Sequence, residues 1–268
     1  MGLKVGGLFV YPVKSCRGLS FDRYPVEARG LRHDRRWMVV DPDGQFVTQR
    51  THPRLALVQV SIDERWLVLG AKDTPPLALP IEPPPGAPWR KVRVWRDDVD
   101  ALDCGQAAAD WMSHWLCERV ALVYMPEGVR RAVNPLHARA DDVVGFADGY
   151  PLLVVTRASL DDLAERIGND IPMNRFRPNI VIEGAERWAE DRWKRIRIAD
   201  IPIRLPKPCA RCVVTTTDQD TAERGIEPLK TLATFRRDGA NVLFGQNAIP
   251  DAAGTLSIGQ AVVVDECY

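Results

Sequence analysis

Two cysteines three residues apart, with an arginine between them, form the most reactive set of side chains in the chain: Lys207-Pro208-Cys209-Ala210-Arg211-Cys212. The thiolate is the form that attacks electrophiles and binds metals, and nearby cations enrich it; Lys207 and Arg211 supply that field. A structural zinc site needs four ligands, usually from two such pairs. The other cysteines, Cys16, Cys104, Cys117 and Cys267, are solitary, and the four histidines show no paired spacing. A thioredoxin-type redox pair opens a helix. Here Val213-Val214-Thr215-Thr216-Thr217 follows, a β-branched run that is poor helix material, so the pair is expected on a bend after Pro208 that enters a strand. Two readings stay open: one soft thiolate for a transition metal whose other ligands come from a cofactor, or two small buried apolar side chains without chemistry.

Cations cluster in the first half. Lys14-Ser15-Cys16-Arg17-Gly18 is a donor-dense loop in which ammonium, hydroxyl and backbone N–H can face one anion. Arg29, Arg32, Arg35 and Arg36 crowd the next segment, and most such clusters are solvated faces. Arg50 and Arg54 bracket His52 and are positioned to line the same pocket, with His52 read as a loop residue.

Composition bounds the partners. The 268 residues carry 36 Lys+Arg and 36 Asp+Glu, so neither nucleic acid nor an anionic membrane is the expected partner. No apolar run approaches the ~18 residues of a membrane span. The N-terminus reads as a strand and is too short for a signal peptide. Six cysteines without secretory context are expected to be reduced thiols in the cytoplasm.

The elements that must position these groups are mainly strands. Residues 3–11, 37–40, 45–48, 55–62, 66–69, 92–95, 99–102 and 120–125 read as strands, with turn signals at Asp41-Pro42-Asp43-Gly44 and Arg96-Asp97-Asp98. Residues 74–88 are Pro-rich and read as an extended loop. Ala108, Trp111, Met112 and Trp115 recur at helical spacing, which predicts a helix over 106–117 capped by Asp103. Residues 152–155 and 179–182 read as buried strands, 160–167 as a short helix capped by Ser159, and 232–236, 242–247, 255–258 and 261–264 as short strands. Many short strands with Gly/Pro turns indicate an α+β, mainly β chain built as two β-barrel-like domains, 1–125 and 126–268. No dinucleotide or P-loop glycine pattern occurs.

The run Pro208-Cys209-x-Arg211-Cys212-Val213-x-Thr215-Thr216-x-Asp218-x-Asp220-Thr221 resembles the C-terminal motif of MOSC-domain proteins. Tyr11-Pro12-Val13-Lys14-Ser15-Cys16-Arg17-Gly18 looks like that family's N-terminal β-barrel signature. Phe176-Arg177-Pro178-Asn179-Ile180-Val181 and Leu243-Phe244-Gly245-Gln246-Asn247 are similar to two further motifs, so the resemblance covers nearly the whole chain and is strongest to the amidoxime-reducing branch. It implies a molybdenum cofactor between two domains. By the resemblance, Cys212 is the metal ligand and catalytic centre, and Cys209 a structural neighbour. Ala210 and Arg211 touch the cofactor, and Lys14, Ser15, Arg35, Arg177 and Asn179 hold its pterin and phosphate. Asn247 stands where eukaryotic members have tyrosine, and Ala222 where a glycine usually ends the turn. The implied reaction is reduction of N-hydroxylated compounds (amidoximes, hydroxylamines, N-hydroxylated nucleobases). Electrons are expected from a separate ferredoxin- or flavoprotein-type reductase, since no C-x₄-C-x₂-C run is present. The alternative is a sulfur-transfer or cofactor-carrier protein using Cys212 as a persulfide. The pyridoxal-phosphate chemistry of larger family members has no Schiff-base lysine context here. A structural module without chemistry is the third expectation.

Overall fold

The strand Ile201–Arg211 is the axis of the molecule. Ile201, Ile203 and Leu205 are buried and alternate with Pro202, Arg204 and Pro206, the period of two that puts one face of a strand inward. The alternation stops at Lys207, where the strand leaves the core and runs along a cleft. Its neighbour Trp193–Ile198 pairs only with residues 201–204, so Pro206 and Pro208 lie where one side of the strand is unpaired. On the other side Asn241–Pro250 pairs as far as Arg211↔Val242, with irregularities between Arg204 and Lys207 and between Pro208 and Ala210. Such irregularities bend a strand and re-aim its side chains.

This computed structural model describes residues 2–268. The large sheet runs in the order Val262–Cys267, Trp193–Ile198, Ile201–Arg211, Asn241–Pro250, Leu152–Thr156, Ile180–Glu183, Lys4–Val10, Leu19–Ser20, with Arg237–Asp238 paired to Asn241–Pro250. Its one parallel pair, Leu152–Thr156 with Ile180–Glu183, is joined through helix Arg157–Ile167, as a parallel connection requires. The chain's first strand therefore sits inside a sheet made mostly by the second half, and Arg23–Glu27 pairs with Gly254–Ser257. The intervening residues build a four-stranded sheet, Trp37–Val40, Ala121–Tyr124, Asp97–Asp103 and Trp89–Val94, and a meander of Gln59–Ile62, Trp66–Ala71 and Thr74–Pro80. Helix Gln106–Leu116 covers them with Ala108, Trp111, Met112 and Trp115. The described residues are mainly β, as the sequence leads one to expect, with three short α-helices among them. No helix among the described residues is long and apolar enough to cross a membrane.

Several local expectations are corrected. Residues 74–80 form a strand despite Pro75 and Pro76, because they lie at the edge of the meander, where a missing donor is tolerated. Pro53–Leu57 is a 3-10 turn, not the start of a strand. Leu229–Phe235 is a helix, not a strand; it buries Leu232 and sets Phe235 edge-on to Trp188. Gly105, not Asp103, is the N-cap of helix Gln106–Leu116, and Asp103 accepts the Gly105 N–H at 2.7 Å. Helix Arg157–Ile167 is capped by Thr156, whose hydroxyl accepts from Ser159 N. After the thiols, Val213–Thr216 is a 3-10 turn rather than a strand, since Thr215 and Thr216 hydroxyls donate to the Cys212 and Val213 carbonyls at 3.0 and 2.8 Å. That local bonding competes with the sheet ladder.

Candidate functional site

Lys14 follows the end of the first strand, in a loop tied to Trp37 by its own backbone N–H at 2.8 Å. Its ammonium is buried and donates to Phe146 O at 2.7 Å and to Asp148 Oδ1 at 2.6 Å. Burial pulls the Lys14 pKa down to about 8; Asp148 opposes the shift, while Arg131 and Arg50 add to it. Burial works to raise the Asp148 carboxyl, but Lys14 and Arg50 outweigh it and hold it well below the usual carboxylate range. Arg50 reaches Asp148 Oδ2 at 3.0 Å and lies over the Trp95 ring at 4.5 Å. Burial works against the Arg50 charge, but Asp148 and the neighbouring Cys212 thiol keep its pKa raised.

A second group of cations surrounds Tyr11. Both Arg35 and Arg177 lie 4.3 Å from the centre of its ring. Arg35 is held by three bonds: it donates to Asp34 Oδ2 at 2.5 Å, to Asn179 Oδ1 at 3.2 Å and to Arg177 O at 3.1 Å. Asn179 is held in turn, accepting from Leu153 N and donating to Phe9 O, each at 3.1 Å. Asn179 thus positions Arg35 rather than pointing a free amide into the cleft. Arg177 differs. Its buried Nη2 has no hydrogen-bond partner among the described residues. Burial, then repulsion from Arg35, lowers its pKa to about 10. A buried guanidinium without a partner is costly, and an anion is what would satisfy it. Ser15, Arg35 and Arg177 all sit at positive φ, +70°, +48° and +55°. Strained backbone of this kind gathers where geometry must be over-determined.

The thiols close the other wall. Cys212 is partly buried and caps the turn Val213–Thr216. Arg211 donates to Cys209 Sγ at 3.0 Å and to Phe176 O at 2.6 Å, so both of its terminal nitrogens are engaged, while its buried Nε has no partner among the described residues. Asn247 lies opposite Lys207 across the ladder and donates to Pro208 O at 3.1 Å. One cleft of roughly 540 Å³ is lined by Cys212, Lys14, Ser15, Arg35, Arg177 and Asn179, and by Ala210, Arg211 and Asn247. All nine residues singled out by the motifs therefore meet, although they span positions 14 to 247. The donor set suits a soft metal with an anionic tail. Among the described residues no three His, Cys, Asp or Glu side chains converge to hold a metal alone, so a metal held by one thiolate here would need its other ligands from a cofactor.

Other expectations change. Arg54 lies over Trp115 at 4.4 Å and His52 bonds Glu118 at 2.7 Å, so of that trio only Arg50 faces the cleft. Arg29 and Arg36 are not a solvated face: both are buried and bind the carbonyls of Val129 and Met125. Arg32 is exposed. Ala222 holds the left-handed conformation expected of a glycine, at φ +61°. Asp148 and Trp95 line the cleft and carried no signal in the sequence; an Asp-Gly pair and a hairpin-tip aromatic look like ordinary turn residues.

The family model for the MOSC N-terminal beta barrel domain matches residues 2–119, and that for the MOSC domain matches residues 141–263. Mitochondrial amidoxime-reducing component 1 of Mus musculus is 37% identical over 96% of this chain and 81% of its own length. The Homo sapiens protein of the same name is 36% identical over 96% of this chain and 82% of its own. A solved structure, the YUAD protein of Bacillus subtilis, aligns over 98% of this chain and 94% of its own with a TM-score of 0.43 and 10% identity.

Proposed function

The chain belongs to the MOSC family, and from that premise we propose that it is a molybdenum-cofactor oxidoreductase that reduces N-hydroxylated compounds with electrons from a separate reductase. The observation that carries the proposal is the meeting of Cys212 with Lys14, Arg35 and Arg177 in one cleft, where Arg177 still has an unpartnered N–H. The similar proteins named as amidoxime-reducing components support the choice of substrate.

In this reading Cys212 is the protein ligand to the metal, and Lys14, Ser15 and Arg177 hold the phosphate and pterin. Arg35 lends charge from behind, fixed by Asp34 and Asn179. Ala210 and Arg211 border the cofactor through the strand, and Asn247 supports that strand from its partner. When bound, the cofactor supplies the two-electron chemistry that accepts oxygen, which no protein side chain provides. The residues orient the N–OH group toward the thiol wall and keep the anionic tail away from it. In the net reaction the N–O bond breaks, two electrons and two protons are taken up, and an amidine or amine and water leave. Asp148, ionised between Lys14 and Arg50, fixes both cations at the mouth of the cleft. Ferredoxin- and flavoprotein-type reductases are the proposed donors, and the cytoplasm the proposed setting.

The test is reduction of benzamidoxime by protein from a host that makes the cofactor, with reduced methyl viologen as the donor. One benzamidine formed per two electrons consumed is expected. No benzamidine from molybdenum-loaded protein overturns the proposal.

A further inference from the structure

Trp95 stands at the tip of the hairpin between strands Trp89–Val94 and Asp97–Asp103. Three features set it apart from an ordinary surface tryptophan. Its backbone is left-handed, with φ +58°, a conformation that a bulky residue keeps only where something holds it. Its indole is 46% exposed although it lines the cleft. The ring is nevertheless fixed: Arg50 lies 4.5 Å from it, Phe46 packs at 5.1 Å with a 55° tilt, and Nε1 donates to Asp148 at 3.3 Å. Hairpin tips are ordinarily filled by Gly, Asn or Asp, which adopt positive φ without strain. A tryptophan kept there under strain, with part of its surface bare, is a rigid aromatic surface on the wall of the cleft.

Position gives that surface a purpose. Arg50 lies over Trp95, and both line the same cleft as the Cys212 thiol. Resting on the reading of the cleft as an N-hydroxy reductase, we propose that Trp95 is its specificity-determining residue. Its free face stacks planar conjugated substrates, aryl amidoximes and N-hydroxylated nucleobases, and thereby favours them over hydroxylamines that lack a flat π system. Stacking on an aromatic side chain tolerates any π face, which fits a site that takes several such compounds. One half of the chain then reads the substrate's body while the other holds the reacting end.

The experiment compares wild type, Trp95→Phe and Trp95→Gly, all purified from a cofactor-competent host. The glycine variant removes the ring and relieves the positive φ, so it is expected to fold. Molybdenum content, KM and kcat are measured for benzamidoxime and for N-methylhydroxylamine, and benzamidine binding is titrated by calorimetry. The expected result is a rise of about tenfold in the ratio of the benzamidoxime KM to the N-methylhydroxylamine KM in Trp95→Gly, restored by Trp95→Phe. Benzamidine affinity falls about tenfold in step, with unchanged molybdenum content. An unchanged KM ratio together with unchanged benzamidine affinity overturns the proposal. So does an equal loss for both substrates, which marks a structural role. If wild type binds no molybdenum and reduces neither substrate, the underlying reading fails instead, and the benzamidine titration alone decides for or against Trp95.

Discussion

The Lys14 ammonium lies 2.6 Å from Asp148 Oδ1 across 134 residues of sequence, an ion pair that joins the first loop to the segment leading into the second half's core. Because burial sets the Lys14 pKa near 8, against 10.5 for the free side chain, the folded state gives up this proton before the unfolded chain does. Between those two values the unfolded state binds more protons, so stability from this group rises with pH. Cys16 and Tyr11, both pushed up to about 12 by burial, work in the opposite direction at higher pH. The contribution of Lys14 is therefore isolated by difference. Urea titrations of wild type and Lys14→Met from pH 7 to 10.5 are expected to show wild type gaining up to about 3 kcal/mol relative to the variant. A difference that stays flat across that window contradicts the burial of a charged Lys14.

Arg177 keeps a buried donor unpaired in the folded chain. Replacing a buried, uncompensated charge by an apolar side chain of similar length relieves desolvation. Arg177→Met is expected to raise stability by about 1 kcal/mol while the protein loses most of its pterin. Thermal melts and fluorescence of the released, oxidised pterin check the two halves. Retained pterin with lower stability would assign Arg177 to the scaffold.

Ala222 sits at φ +61° in the turn that follows the thiols, with its N–H donating to Asp218 O at 2.9 Å. The turn keeps the glycine's shape without the glycine, and the methyl group is strained against its own backbone. Ala222→Gly is expected to stabilise the protein by about 1 kcal/mol, read as a higher urea midpoint at unchanged slope.

Asn179 is fully buried and joins Leu153 N, Phe9 O and Arg35. Asn179→Ala leaves a buried donor and acceptor bare and frees the Arg35 guanidinium. A loss of about 2–3 kcal/mol is expected. A cofactor content that falls no more than the stability loss accounts for would fit its role as a support for Arg35.

Much of this was legible before any coordinates. The buried strands at 152–155 and 179–182 announced themselves as apolar runs, and the nine motif residues fall in one cleft, whereas the strands Trp193–Ile198 and Ile201–Arg211 were not read from the sequence. What stayed hidden followed from interactions that leave no local trace. Val213–Thr216 has strand propensity, but its hydroxyls bond their own backbone. Residues 232–236 look like a strand until Phe235 meets Trp188. The arginine cluster reads as solvated because nothing in a sequence says that the carbonyls of Met125 and Val129 wait for Arg36 and Arg29. Asp148 and Trp95 matter only because the fold carries them beside Lys14 and Arg50.

The central claim is one sulfur on one metal. Inductively coupled plasma mass spectrometry on protein from a cofactor-competent host, comparing wild type, Cys212→Ser and Cys209→Ser, tests it most directly. The account predicts about one molybdenum per chain in wild type and Cys209→Ser, and its loss in Cys212→Ser. Equal molybdenum in all three, or none in folded wild type, would contradict it.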